Sequence, residues 1–171
     1  AAAAVIDGRL DDACWQQASA NTNFLLRLRL AETAKAQTTF YVCHDDKHIY
    51  FAARCEGQDP AKLFADAQGP DTRRAYKDDV IEVLLDTAFT QNDAFHFIIN
   101  SRGAVWDAEE HRRPDTDIMD VFIERWNSDA RAAGGREGDA WIVEVAIPFA
   151  SMGLTEAQQA FIAGAGADKT K

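Results

Sequence analysis

The chain has 171 residues, of which 47% are apolar, so it can bury the hydrophobic core of one folded domain and is not compositionally disordered. Its 28 acidic residues exceed its 18 basic ones, and a net charge of −10 argues against nucleic acid or an anionic membrane as partner. No apolar run approaches the ~20 residues that span a bilayer. We therefore predict one domain over residues 1–171. It would bind a neutral ligand or a cation such as calcium, or its acidity serves solubility alone.

The N-terminal segment IDGRLDDACWQQA predicts a turn at Asp7-Gly8 and then a short helix capped by Asp11. Short runs with period-two alternation follow, separated by turn residues, as is typical of antiparallel strands. In chain order they are FLLRLRL, QTTFYVCH, HIYFAARC, DVIEVLLD, AFHFIIN, GAVWDAEE, IMDVFIERW and AWIVEVAI. Turns are predicted at Asn92-Asp93, Arg102-Gly103 and Gly134-Gly135, and SMGLTEAQQAFI predicts a closing helix.

This succession of short strands, with one helical turn at each end, predicts an all-β fold. We expect an antiparallel β-sandwich of immunoglobulin or jelly-roll type with short peripheral helices. The long irregular stretch from about Glu56 to Lys77 is of a length that often carries function in a compact domain.

The three cysteines have no metal-like spacing. If QTTFYVCH and HIYFAARC form a hairpin, Cys43 lies opposite Tyr50 and Cys55 points to the other face, which argues against a bridge between them. A pairing of Cys14 with either one stays open, and buried free thiols are the favoured interpretation.

Strand alternation predicts which side chains share a face. Ile81, Val83 and Leu85 in one strand match Phe95, Phe97 and Ile99 in the next, and both sets should face the core. Three polar side chains then share the opposite face, namely Glu82, His96 and Asn100. Together they can hydrogen-bond sugar hydroxyls, or they are ordinary solvent-facing residues of a half-exposed sheet.

Aromatic side chains matter because sugar rings pack their C–H faces on π-systems. Tyr76 sits in the polar loop RRAYKDD without periodic apolar neighbours, so it is a ligand candidate. Trp106 and Trp126 are further candidates, although core packing is favoured for any tryptophan. Trp15 and Trp141 are predicted to lie in the core.

No motif for metal, nucleotide or nucleophilic catalysis is present in the sequence. Asp78, Asp79 and Glu82 resemble a glycosidase carboxylate pair, but a place at the start of a strand is favoured for the two aspartates. We therefore predict that the chain is not an enzyme. The acidic pairs Asp45-Asp46 and Asp78-Asp79 could supply oxygen ligands to calcium, although solvated turn residues are the favoured interpretation.

Five segments in order resemble family-nine carbohydrate-binding modules. They are IDGRLDDACW, FYVCHDDKHIYFAARCEGQDP, KDDVIEVLLDT, FHFIINSRG and AWIVEVAIPF, within residues 5 to 154. The resemblance implies a sandwich that binds a carbohydrate, often at a polysaccharide chain end, for a larger secreted, periplasmic or cell-surface protein. It also implies structural calcium.

In that family two aromatic rings clamp the sugar, and the first lies six residues before a glutamate, as Tyr76 precedes Glu82 here. The asparagine that ends the next strand corresponds to Asn100. The family's arginine two residues earlier is Ile98 in this chain, and no aromatic follows Phe161 to form the second clamp wall. Trp106 or Trp126 would have to replace it, and a neighbouring domain or chain could complete the sheet.

Two alternatives remain. One is a structural or interaction sandwich whose sugar site has decayed. The other is a haem-binding sandwich with axial ligands from Met119, Met152 or the histidines, although the haem-attachment motif CxxCH is absent.

Overall fold

The computed structural model describes residues 3–26, 29–68, 73–111, 121–123, 125–155 and 158. One short α-helix, α1, spans Ala13–Gln17, and two 3₁₀ turns span Arg73–Lys77 and Phe149–Met152. The strands within the described ranges are β1 Leu25–Leu26, β2 Arg29–Thr33, β3 Thr38–His44, β4 His48–Cys55, β5 Val80–Leu85, β6 Asp93–Asn100, β7 Val105–His111, β8 Val121–Ile123, β9 Arg131–Glu137 and β10 Ala140–Pro148. No helix among these residues is long and apolar enough to cross a membrane.

The strands form two four-stranded antiparallel sheets, which we call the front and back sheets. The front sheet has the order β5-β6-β7-β8, and the back sheet has the order β3-β4-β10-β9. The predicted antiparallel sandwich is confirmed.

The alternation of apolar residues fixes the inner faces. Val83 and Phe97 of the front sheet pack in one buried cluster with Phe51, Trp141 and Val143 of the back sheet. Each such buried side chain contributes about 1.5–3 kcal/mol to folding. The faces predicted for β5 and β6 and the core position predicted for Trp141 are therefore confirmed.

A second, smaller cluster covers the outer face of the back sheet. Trp15 of α1 packs edge-on against Tyr50, with ring centroids 6.4 Å apart, and is 2% exposed, as predicted for a core residue. The helix begins one residue later than expected. Asp12 is its N-cap and makes no side-chain cap hydrogen bond, because its carboxylate accepts a hydrogen bond from the backbone N–H of Val5 instead.

Glu144 of β10 is fully buried beneath the N-terminal segment. One carboxylate oxygen accepts hydrogen bonds from the backbone N–H groups of Gly8 (2.6 Å), Arg9 (3.0 Å) and Asp7 (3.2 Å), and the other accepts one from Trp15 Nε1 (2.7 Å). Burial raises the pKa of Glu144, and these four donors offset part of the rise. The Glu144 carboxylate thereby holds the N-terminal segment on the back sheet.

Two sequence predictions are corrected by the tertiary structure. FLLRLRL is not one strand, because its ends belong to the paired strands β1 and β2, with Leu25 opposite Thr33. Gly134-Gly135 is not a turn but the middle of β9, paired with β10. A Cβ at Gly135 would lie 1.9 Å from the carbonyl oxygen of Gly8, so the glycine permits the close approach of another segment.

The end of the sandwich follows the prediction only in part. Pro148 ends β10, and the chain continues as the 3₁₀ turn with Met152 in the core. Most of the segment predicted as a closing helix lies outside the described residues.

Candidate functional site

The candidate site lies on the outer face of the front sheet. The register pairs Glu82 with Ile98 and Ile98 with Trp106, and in the next row it pairs His96 with Ala108. The prediction that Glu82, His96 and Asn100 share this outer face is confirmed by that register. The 3₁₀ turn Arg73–Lys77 immediately precedes β5 and brings Tyr76 over the same face.

Tyr76 is the exposed aromatic ring of the site. It is 43% exposed, and its ring lies 5.3 Å from that of Trp106 and 6.2 Å from that of His96, between ring centroids. Both neighbours are buried, so the tyrosine ring is supported from beneath while part of it stays open. This is the arrangement that a sugar C–H face can stack on.

His96 lies between two carboxylates. Its Nδ1 is 2.9 Å from Glu110 Oε2, and its Nε2 is 3.5 Å from Glu82 Oε2. The side chains of His96 and Glu110 are only 7% and 11% exposed, whereas that of Glu82 is 43% exposed. His96 and Glu110 therefore form the buried polar part of the site, and Glu82 is the residue that a ligand can reach.

Glu110 is the site residue that the sequence reasoning missed. Alternation along VWDAEEH puts it on the same face as Trp106 and Ala108, so strand parity carried the signal. Its partner could not be read from parity alone, because the contact with His96 needs the β6–β7 register that pairs Ala94 with Glu110.

Asn100 occupies the predicted face but is completely buried, so the structure corrects its role as a direct ligand contact. Its Nδ2 donates to the carbonyl of Ala67 (3.0 Å) and to Asp78 Oδ2 (2.8 Å), and its Oδ1 accepts from the backbone N–H groups of Arg102 and Ala104. With both ends of its amide engaged, Asn100 holds two loops in place around the site.

The aspartates of the pair Asp78-Asp79 also hold the loop that carries Tyr76. Asp78 accepts hydrogen bonds from the backbone N–H groups of Asp66 and Ala67, and Asp79 accepts one from that of Phe64. Burial alone would raise the pKa of Asp78, but these N–H donors, together with the Asn100 amide, hold it below its ordinary value. The two aspartates lie directly before β5, close to the strand start predicted for them, and both carboxylates hold the loop.

The two tryptophans proposed as a second clamp wall are placed elsewhere, which corrects both candidates. Trp106 is 1% exposed and lies behind Tyr76. Trp126 packs between the sheets against Phe95 and Phe97, and its Nε1 donates to the carbonyl of Ser151. Large apolar rings gain more from these contacts than from exposure.

Calcium was expected from the resemblance. In the described ranges no group of three or more His, Cys, Asp or Glu side chains is arranged to hold a metal ion. Asp45, one of the candidate oxygen donors, accepts hydrogen bonds from the backbone of Lys47 and His48 and from the Tyr50 hydroxyl. These residues do not fit a calcium site, and the calcium ion stays a prediction.

Of the residues named for haem ligation, Met152 and His96 give that alternative no support. Met152 is buried in the core between the sheets, and Met119 lies outside the described residues. Both ring nitrogens of His96 face carboxylates, so neither is directed at a haem iron.

Comparisons with known proteins agree with the observed fold. Two solved structures of a family 9 carbohydrate-binding module from Caldicellulosiruptor kristjanssonii, in complex with cellotriose and with glucose, have a similar fold, with TM-scores of 0.56 and 0.57. Their sequence identities to this chain are 19% and 18%, and each comparison covers 86% of this chain. The chain spans 64% and 65% of the length of those two chains.

No curated protein matches the chain. The family model described as "Carbohydrate family 9 binding domain-like" matches residues 6–169, which is nearly the whole sequence. The chain therefore belongs to the carbohydrate family 9 binding domain-like family.

Proposed function

We propose that the chain is a non-catalytic module that binds a neutral carbohydrate on the outer face of the front sheet. The observation that carries this proposal is the half-exposed ring of Tyr76, supported by Trp106 and adjacent to the His96–Glu82 pair. A sugar ring would stack on Tyr76 while its hydroxyls hydrogen-bond the exposed carboxylate of Glu82. Glu110 and His96 act through Glu82, because they define where its carboxylate lies.

The charge and the polar groups of the site support a hydroxyl-rich, uncharged ligand. Two carboxylates within 3.5 Å of one imidazole disfavour an anionic ligand such as a sugar phosphate. They also suit the sugar hydroxyl, which donates to a carboxylate in a charge-assisted hydrogen bond.

The absence of catalysis is part of the proposal. Glu82 and Glu110 are bridged by His96 rather than placed on either side of an open cleft, so they do not provide an acid and a nucleophile flanking a glycosidic bond. Because similar family structures hold cellotriose and glucose, β-linked glucose oligomers are the first ligands to test. The family resemblance further supports a place in a larger secreted, periplasmic or cell-surface protein.

Isothermal titration with glucose and cellotriose tests the proposal, and binding at millimolar concentration or tighter is expected. Tyr76→Ala should weaken binding about tenfold because the stacking surface is lost, whereas Tyr76→Phe keeps the ring and should stay within about twofold of the parent. Glu82→Gln should weaken binding several-fold, because a neutral amide replaces a charge-assisted acceptor.

Phe89→Ala is the matched control for Tyr76→Ala. Phe89 is also an exposed aromatic, 89% accessible, but it lies in the turn at the opposite end of β5. Its removal should leave affinity unchanged. The proposal fails if neither sugar binds at millimolar concentration, or if Tyr76→Ala binds as tightly as the parent.

A further inference from the structure

Two of the three cysteines meet on the face of the molecule away from the sugar site. Cys43 lies opposite Tyr50 in the β3–β4 register, and both side chains point to the outer face of the back sheet. There α1 packs on the sheet and brings Cys14 into the same small apolar cluster. The two thiols are close enough for each to influence the pKa of the other.

The third cysteine is on the other side of the back sheet. Cys55 belongs to the core between the sheets, where the hydroxyl of Thr38 lies 3.6 Å from its sulfur. Cys55 therefore lies on the opposite face of the back sheet from the other two thiols, because neighbouring positions of a strand alternate between faces. The structure thus selects one of the pairings that the sequence leaves open.

The two thiols are also held in place by their surroundings. Trp15, the neighbour of Cys14, donates to the buried carboxylate of Glu144 and packs edge-on against Tyr50. Cys14 is 2% exposed, and Cys43 is partly exposed. The two contacts of Trp15 hold α1 on the back sheet, and so hold Cys14 near Cys43.

We propose that Cys14 and Cys43 form a disulfide when the domain folds in the presence of a small-molecule disulfide such as glutathione disulfide. The Cys43 thiolate attacks one sulfur of the oxidant, forms a mixed disulfide and releases one glutathione thiolate. The Cys14 thiolate then attacks the Cys43 sulfur, forms the Cys14–Cys43 bond and releases the second glutathione thiolate. The two thiol protons end on the two glutathione molecules, which take up the two electrons.

The bond forms most readily during folding. Burial raises the pKa values of Cys14 and Cys43, and the contact between the two thiols raises that of Cys43 further, so few thiolates exist in the folded domain near neutral pH. Once formed, the bond closes the chain between residues 14 and 43 and ties α1 to the back sheet. A loop of this size restricts the unfolded chain enough to stabilise the folded one.

Refolding in a redox buffer tests the proposal. The reduced, denatured protein is refolded either with oxidised and reduced glutathione or with dithiothreitol, alkylated with iodoacetamide and digested with trypsin. The three cysteines fall in separate peptides, residues 10–27, 36–47 and 55–62. After oxidative refolding, mass spectrometry should find the first two peptides linked and the third alkylated. The melting temperature should exceed that of the reduced protein by roughly 5–15 °C.

Two variants sharpen the result. Cys43→Ala should abolish the link and the difference in melting temperature between the two buffers, whereas Cys55→Ala should keep both. Three alkylated cysteines in oxidatively refolded protein with native circular dichroism would overturn the proposal, and so would a link that includes Cys55. The peptide map of the unmutated protein decides the matter even if a variant fails to fold. The outcome is independent of sugar binding.

Discussion

Glu144→Gln tests how much the buried carboxylate of β10 contributes to stability. The change keeps the side-chain shape and removes the charge and one acceptor. In the parent, one oxygen accepts from Gly8, Arg9 and Asp7, and the other accepts from Trp15. An amide can present only one oxygen, so its NH₂ group must face N–H donors on one side.

The size of the effect follows from these contacts. With the amide oxygen toward the backbone donors, the buried indole N–H of Trp15 loses its acceptor, which costs about 1–3 kcal/mol. The hydrogen bond from the buried N–H of Gly8 also loses its charge assistance, which is worth about 1 kcal/mol more. We expect the free energy of unfolding to fall by about 2–4 kcal/mol and the melting temperature to fall by roughly 5–15 °C.

Urea and thermal unfolding followed by circular dichroism at pH 8 measure the change. Glu137→Gln is the matched control. Its carboxylate accepts from Arg54 Nε on the surface and is 66% exposed, so its removal should cost less than about 1 kcal/mol. If both variants unfold within about 0.5 kcal/mol of the parent, the N-terminal segment is not held by Glu144.

Two further perturbations address the loops around the sandwich. Gly135→Ala places a Cβ against the carbonyl of Gly8 and should lower the free energy of unfolding by about 3 kcal/mol in urea titrations. The control Gly138→Ala lies in open space at a φ of 62° and should lower it by only about 1 kcal/mol. Equal losses for the two variants would contradict the close approach of Gly8 to Gly135. The stability contributed by Asp78 is present above its ordinary pKa of 3.8 and is lost as the pH falls through its lower folded value. Urea midpoints between about pH 6 and pH 2 should therefore fall less steeply for Asp78→Asn than for the parent, and parallel curves would remove Asp78 from this account.

Much of the fold was predictable because alternation has a fixed period. Each strand of DVIEVLLD, AFHFIIN and AWIVEVAI separates its faces by itself, so the core positions of Val83, Phe97 and Val143 follow from local sequence. β9 was not predictable in the same way. Its glycines have the composition of a turn, and their place in a strand depends on Gly8 and Ser101, whose carbonyls press against them from distant parts of the chain.

The candidate site was also predictable only in part. Tyr76 and Glu82 could be selected from loop context, parity and family resemblance, and they are the open members of the site. Asn100 and Trp106 share that face but are buried by neighbouring segments, which parity cannot reveal. Glu110 needed the register between β6 and β7 before its contact with His96 existed.

The sequence by itself determined the β-sandwich, its inner faces and the family, because strand periodicity and turn residues act locally. The tertiary structure alone decided which outer faces are covered. Glu144 alternates outward from its strand and would be assigned to solvent, yet the N-terminal segment encloses it completely. The same enclosure brings Cys14 to Cys43, and on the other sheet the loop before β5 leaves Tyr76 open. Whether a side chain on an outer face is exposed to solvent depends on segments far away in the sequence, and the alternation within its own strand carries no information about them.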